Sequence, residues 1–306
     1  MSQAAHTTYR PGTLEDTYAV FLVIEEAIAD LLPRIGIQDT THLADPEYLA
    51  YKWEVRRPLL EHLARTAEHF WVAEQEGQVV GFARSVFHEG MRELTEFFVK
   101  PGVQSGGVGR NLFERAFPRA GARRRTIIAT TDLRAQARYL KAGVYPRFPL
   151  MYFEKAAEPI SVESDLAFQS LPATSEALEA LDGIDGEILE FHRREDHEWL
   201  LDNRQGWLYV REGRPVGYGY TGQHNGPFAL LDPADFPAIL AHAENQAAEG
   251  GRETLGLEVP LHNRHAVDFL LARGFKIPDG FYAFFMSDVP FGKFEQYIVT
   301  SPPFFM

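Results

Sequence analysis

The stretch Val99-Lys100-Pro101-Gly102-Val103-Gln104-Ser105-Gly106-Gly107-Val108-Gly109-Arg110 decides how the rest of this chain is read. Residues 93–99 are expected to form a strand before it, and residues 108–117 a helix after it. Strand, glycine-rich loop and helix N-terminus in immediate succession make an anion site. The first N–H groups of the helix have no intrahelical partner and lie at the positive end of its dipole, and glycine lets a ligand approach the backbone closely. No Gly-Lys-Ser/Thr follows, so this is not a Walker loop, and the dinucleotide spacing G-x-G-x-x-G is also missing. The local charge agrees with an anionic ligand: Arg110, Arg115, Arg119, Arg123, Arg124 and Arg125 face only Glu114 over residues 110–125. A plain turn followed by a solvated basic helix face is the alternative.

That basic patch stands out because the whole chain carries a formal charge of −13 over 306 residues. Such an acidic balance opposes non-specific binding to nucleic acid or to anionic membranes. With 45% hydrophobic and 13% aromatic residues, the chain has ample material for a packed core. No apolar run reaches the roughly 18–20 residues needed to span a bilayer, and no signal peptide is recognised at the start. Cysteine is absent, which excludes disulfides, zinc ribbons and cysteine nucleophiles. These features predict a cytoplasmic protein with a metal-free or carboxylate-based site.

Outward from the loop, the chain reads as an α/β unit made twice. Residues 1–9 carry no pattern; helices are expected from Leu14 to Leu31 and over about 47–68, then a hairpin of strands 70–73 and 79–87 turning at Glu76-Gly77. Strand 93–99, helix 108–117, strand 126–131 and helix 133–141 follow, and strand 150–154 is expected to close the unit. Residues 155–165 read as a linker. Trp207-Leu208-Tyr209-Val210, the turn Glu212-Gly213 and Val216-Gly217-Tyr218-Gly219 then repeat the first hairpin. From Pro101 to Gly143 is 42 residues and from Pro233 to Gly274 is 41. Two domains are therefore expected, 1–155 and 166–306, as two copies of one mixed-sheet α/β unit.

Gln104-x-x-Gly107-x-Gly109, with Val99-x-Pro101 before it and Tyr139-x-x-x-Gly143 after it, resembles the Q/R-x-x-G-x-G/A signature of the GNAT N-acetyltransferase superfamily. The resemblance implies a tandem member with two acyl-CoA N-acyltransferase folds. Acetyl-CoA would be held by Phe98, Val99, Gln104, Ser105, Gly106, Gly107, Val108, Gly109 and Arg110, its pantetheine arm lying between strand 93–99 and strand 126–131. It also implies that Tyr139 acts as general acid toward the departing thiolate, and that a carboxylate on the strand before the loop, Glu93 or Glu96, serves as base. Strict alternation would put these two on opposite faces, so only one could reach the cleft. Two positions depart from the family pattern: Asp132 stands where Asn is usual, and Gly143-Val144 replaces Gly-Phe.

The second copy keeps Leu257-Glu258-Val259 and Asn263, but Asp232-Pro233-Ala234-Asp235-Phe236-Pro237 replaces its glycine loop and Leu270 takes the tyrosine position. It is expected to be degenerate, buttressing the first domain and completing its acceptor pocket. Glu25 and Glu26 are candidates to line that pocket, with an exposed helix face as the alternative. The expected activity is direct transfer of acetyl from acetyl-CoA to a primary amine, since no cysteine is present to carry an acyl group. Aminoacyl transfer from tRNA is opposed by the charge. A non-catalytic acyl-CoA sensor is the alternative, and a homodimer is compatible with either. His192 to His197 and His262 to His265 lack metal-ligand spacing and are read as helix surface and loop. No Gly-x-Ser-x-Gly elbow occurs. The aromatic segment 291–306 is expected to pack, with a carboxylate-terminated tail in the active site as a further option.

Overall fold

The computed structural model describes residues 6–37, 42–103, 107–278 and 282–303. The chain divides into two compact units, Met1–Tyr145 and Pro146–Met306. In the first unit the order is β1 (Thr7–Pro11), α1 (Thr17–Arg34), α2 (Pro46–Thr66), β2 (His69–Gln75), β3 (Gln78–His88), β4 (Met91–Val99), α3 (Val108–Ala116), β5 (Arg124–Thr130) and α4 (Leu133–Lys141). The second comprises β6 (Tyr145–Ala156), β7 (Ala167–Ser170), α5 (Ser175–Ile188), α6 (Arg194–Asn203), β8 (Gln205–Arg211), β9 (Arg214–Thr221) and β10 (Phe228–Leu230). It continues with α7 (Phe236–Glu249), β11 (Thr254–Pro260), α8 (Arg264–Ala272), β12 (Tyr282–Ser287) and β13 (Tyr297–Ile298).

Within the first unit the strands lie in the order β1-β2-β3-β4-β5. All neighbours are antiparallel except β4 and β5, which are parallel. Helix α1 starts from a Thr13–Asp16 capping box, and α2 from Asp45, whose side chain accepts from the Glu47 N–H. Val20, Phe21 and Ile24 on α1 and Leu60 on α2 bury against Val72 and Phe82 on one face of the sheet. The opposite face carries α3, where Ser85 Oγ donates to the Ala116 carbonyl at 2.6 Å. Strand β1 falls in a segment whose sequence shows no alternation. It is an edge strand ordered by its ladder to β2 and by Arg10, which bridges Asp16 and Glu74 at 2.7 Å each.

Glu76-Gly77 and Glu212-Gly213 both turn with positive φ at both residues, the type I′ geometry that matches the twist of a two-residue hairpin. Each hairpin also has a register shift at the same distance from its turn, at Ala73/Glu74 and at Tyr209/Val210. The repeat seen in the sequence is thus a repeat of backbone geometry.

In the second unit β12, β6 and β11 form one group of strands, and β13-β10-β9-β8-β7 another. The strand expected to close the first unit behaves differently: β6 pairs antiparallel with β11 over seven residues, Leu150 to Ala156, inside the second unit. The segment after it is not a free linker, because Ile160 and Asn245 exchange hydrogen bonds at 2.8 Å and Lys155 bridges Glu244 at 3.0 Å. The aromatic tail packs as expected, with Phe294 against Phe148 and Phe285 at 5.0 and 4.4 Å between ring centroids. Residues 304–306, and with them the chain-terminal carboxylate, lie outside the described residues. Among the described residues no helix is long and apolar enough to cross a membrane.

Candidate active site

Parallel pairing of β4 with β5 runs from Met91↔Arg124 to Leu94↔Ile127 and stops there, although β4 continues to Val99 and β5 to Thr130. Beyond Leu94 the two strands part. Beside the parted end of β4 lies a cleft of about 320 Å³, with Phe97, Val99, Gly109, Asp132, Arg134 and Arg138 in its walls. A bulge in β4 accompanies the parting: Arg84 faces Glu96 while Ser85 faces Leu94, so Thr95 is an extra residue with no counterpart on β3. Beside the cleft, Gly107 caps α3 with φ +79°, a left-handed conformation that favours glycine. A Cβ on Gly109 would stand 3.3 Å from the Phe97 ring, a tight contact that glycine avoids where the first turn of α3 meets β4.

Of the residues expected to hold the cofactor, Val99 and Gly109 line this cleft. Arg110 is exposed and lines a neighbouring, larger cavity of about 580 Å³ between α3 and α4, together with Arg119, Arg125, Arg134, Arg138 and Lys141. Val108 is buried. Phe98 turns to the other face, stacking on Phe82 at 5.9 Å. Gln104, Ser105 and Gly106 lie outside the described residues. The arginine-rich stretch is divided by the fold. Arg115 lies over the rings of Tyr9 and Trp71 at 4.8 and 5.6 Å, and Arg123 bonds the Glu89 carbonyl, so neither serves the cavity.

Tyr139 is buried, its ring 5.8 Å from that of Phe113. Burial pushes its phenol well above the ordinary tyrosine range, partly offset by the charge of Arg138, so it remains protonated at neutral pH.

The two strand carboxylates depart from the sequence expectation. The bulge at Thr95 breaks the alternation, so Glu93, opposite Val86, and Glu96, opposite Arg84, share one face of the sheet, the face covered by α1 and α2. Both are 2% exposed, and neither occurs among the described residues lining the cleft. Glu96 forms a buried ion pair with Arg84, whose guanidinium also donates to the Leu60 carbonyl at 2.8 Å and lies over Phe70 at 5.0 Å. Burial raises the Glu96 carboxyl and lowers the Arg84 guanidinium, with the attraction between them opposing both shifts. Glu25 is buried rather than exposed and pairs with Arg56 at 3.1 Å, while Glu26 pairs with Lys100 at 2.7 Å.

The cleft walls also include residues that motif reading passes over. Phe97, Arg134 and Arg138 belong to no signature; the only signal for Arg138 is its place one residue before Tyr139 on α4. Asp132 accepts from the Arg134 N–H at 2.9 Å as the cap of α4 and pairs with Arg34 at 3.0 Å.

The second copy has no counterpart of this arrangement at its loop. Asp232 caps the turn there, Asp235 pairs with Arg211 at 2.7 Å, and Pro237 removes a donor from the first turn of α7. Asn263 is the buried cap of α8, accepting from the Ala266 N–H at 3.0 Å. His197 is not helix surface but fully buried: its Nε2 is 2.9 Å from Asp185 and its Nδ1 2.8 Å from the Tyr220 hydroxyl. Among the described residues no group of three or more His, Cys, Asp or Glu is placed to hold a metal ion.

Residues 66–145, from the end of α2 through the loop and α4, match the family model of the acetyltransferase (GNAT) domain. This segment is a GNAT domain. No curated protein matches the sequence. Among solved structures, a candidate acetyltransferase from Pyrococcus horikoshii superposes with a TM-score of 0.67 at 15% identity, covering 97% of this chain and 94% of its own. A tandem GNAT protein from the clavulanic acid biosynthesis pathway gives 0.55 at 14% identity, over 94% and 100%. A GCN5-related N-acetyltransferase from Sphaerobacter thermophilus gives 0.57 at 13%, over 93% and 96%. At these identities the likeness is one of fold, and it extends over both units: the chain has the two-domain GNAT architecture. Within it the GNAT domain proper carries the parted strands and the glycine-capped helix.

Proposed function

We propose that the first unit binds acetyl-CoA and transfers its acetyl group directly to a primary amine of a small molecule or peptide. The parting of β4 and β5 beyond Leu94↔Ile127 carries this reading. It leaves the end of β4 beside an open cleft, next to a helix whose first N–H groups suit phosphate. The residues present fit the donor: Val99, Phe97 and Gly109 offer an apolar, closely approachable wall for pantetheine, and the arginines of α3 and α4 offer cations for its phosphates.

In this reading the amine nitrogen attacks the thioester carbonyl, the C–S bond breaks, and the thiolate takes a proton from the Tyr139 phenol. Removing the proton of the amine falls to Glu93 or Glu96 through a relay, because among the described residues neither carboxylate, nor Tyr139, lines the cleft. That same burial favours a second reading, a protein that binds acyl-CoA without turnover.

Calorimetry with acetyl-CoA tests the binding. The wild type should bind and Gly107→Glu should not, since its side chain would bring strain and negative charge to the anion site. Unchanged binding by the variant would refute the site. An amine panel then separates the two readings. Turnover that falls at least tenfold in Tyr139→Phe with acetyl-CoA affinity kept supports the transferase, whereas binding without turnover on any amine supports the sensor.

A further inference from the structure

Two arginines line both the 320 Å³ cleft and the 580 Å³ cavity, and they differ in one respect. Arg134 is engaged by acids, 3.6 Å from both Asp30 and Asp132. Arg138 has no acidic partner among the described residues. Its guanidinium lies over the Phe97 ring at 5.6 Å, and its Nη1 is buried without a hydrogen-bond acceptor. A Cβ on Gly109 would stand 3.2 Å from that same Nη1. The charged fork is therefore held against the first turn of α3, in the wall of the cleft, with a donor buried and unanswered.

A buried charged donor without an acceptor is costly and calls for an explanation, and a ligand site is one place where the cost is met. The Phe97 ring beneath it and the buried Nη1 place the guanidinium in the cleft wall. The partner that suits it is a phosphoryl group, whose oxygens match the spacing of guanidinium N–H groups. The surroundings select a multiply charged anion over a single carboxylate, because Arg110, Arg119 and Lys141 line the adjoining cavity and, among the described residues, Glu114 is the one acid in its wall. We propose that Arg138 is a donor-binding residue that grips the diphosphate of coenzyme A from the α4 side, opposite the N-terminal turn of α3. This assignment rests on the acetyl-CoA reading above.

The test compares wild type, Arg138→Gln and Arg138→Lys by calorimetry with acetyl-CoA, its 3′-dephospho analogue, S-acetylpantetheine and inorganic diphosphate. The expected result is about ten- to a hundredfold weaker binding of both nucleotide thioesters by Arg138→Gln, a smaller loss in Arg138→Lys, and no change for S-acetylpantetheine. Equal affinity of Arg138→Gln and wild type for acetyl-CoA would overturn the assignment. So would a loss that disappears with the 3′-dephospho analogue, which would move the contact to the 3′-phosphate, or an equal loss for S-acetylpantetheine. If the wild type binds inorganic diphosphate in an Arg138-dependent way but not acetyl-CoA, the phosphate contact stands and the acetyl-CoA reading falls. Unliganded melting temperatures of the variants close to wild type accompany the expected result, since among the described residues Arg138 has no acidic partner to lose. A drop of many degrees in both would make it structural and overturn the proposal.

Discussion

Arg84 and Glu96 are the clearest case of a sequence-plausible catalytic group that the backbone diverts. The extra residue Thr95 turns Glu96 away from the parted strands and beneath α2, where it meets a guanidinium with 0% side-chain exposure. A pair this dry is held by its two charges together, and removing one leaves the other uncompensated. Arg84→Met should therefore destabilise the fold by about 3–5 kcal/mol in denaturant unfolding, while Arg84→Met with Glu96→Leu should recover most of the loss. A single variant costing less than about 1 kcal/mol would show that the pair carries no such weight. The same logic explains why the carboxylate was visible in the sequence but its orientation was not. Alternation is a rule for regular strands, and no residue type announces a bulge.

At the scale of elements, α4 shows how one substitution in a family pattern is absorbed. Asp132, where the resembling family has Asn, caps the helix through the Arg134 N–H and reaches Arg34 at the end of α1. Asn caps a helix as well as Asp does. Asp132→Asn should then cost only the exposed bridges to Arg34 and Arg134, within about 0.5 kcal/mol, whereas Asp132→Ala should cost about 1 kcal/mol or more in urea unfolding. Equal losses in the two would remove the capping role. The helices and the hairpin turns were legible because caps and Glu-Gly turns are local chemistry. Strand β1 was not, since its order comes from β2 and from the Arg10 bridges, partners more than sixty residues away in the case of Glu74. The basic stretch 110–125 was legible only as composition, because on the same short helix Arg115 lies over Trp71 while Arg110 lines the cavity.

For the molecule as a whole, the two units share a backbone plan and differ in what fills it. Aligned on their hairpin bulges, Arg84 and Phe82 of the first unit correspond to Tyr220 and Tyr218 of the second. In the second unit those tyrosines bond a buried His197–Asp185–Arg193 group. Burial would raise the Asp185 carboxyl, but Arg193 and His197 outweigh it and hold it well below the usual range. Its contribution to stability is thus present above the ordinary aspartate pKa and lost as the pH falls below it. Glu258 on β11 has the opposite sign: burial pushes it up to about 7, so its ionisation costs stability as the pH rises from about 4.5 through 7. Glu258→Gln should stabilise the protein by about 2 kcal/mol at pH 8 and hardly at all at pH 4, read as melting temperature across the range. A gain equal at both pH values would mean that ionisation is not the cause.

The sequence by itself determined the repeat, the strand–loop–helix–strand–helix order over residues 93–143, the intact glycine loop of the first copy and its loss in the second. These depend on turn residues, caps and periodicity, which act within a few positions of the chain. Tertiary structure alone decided that β6 pairs in the second unit, that Glu93 and Glu96 share a face away from the cleft, and that His197 is buried. It alone placed an unanswered guanidinium, Arg138, at the wall beside Gly109. Each of these depends on which distant strand or helix supplies the neighbour. Pairing partners and desolvation are properties of the assembled fold, and no local pattern records them.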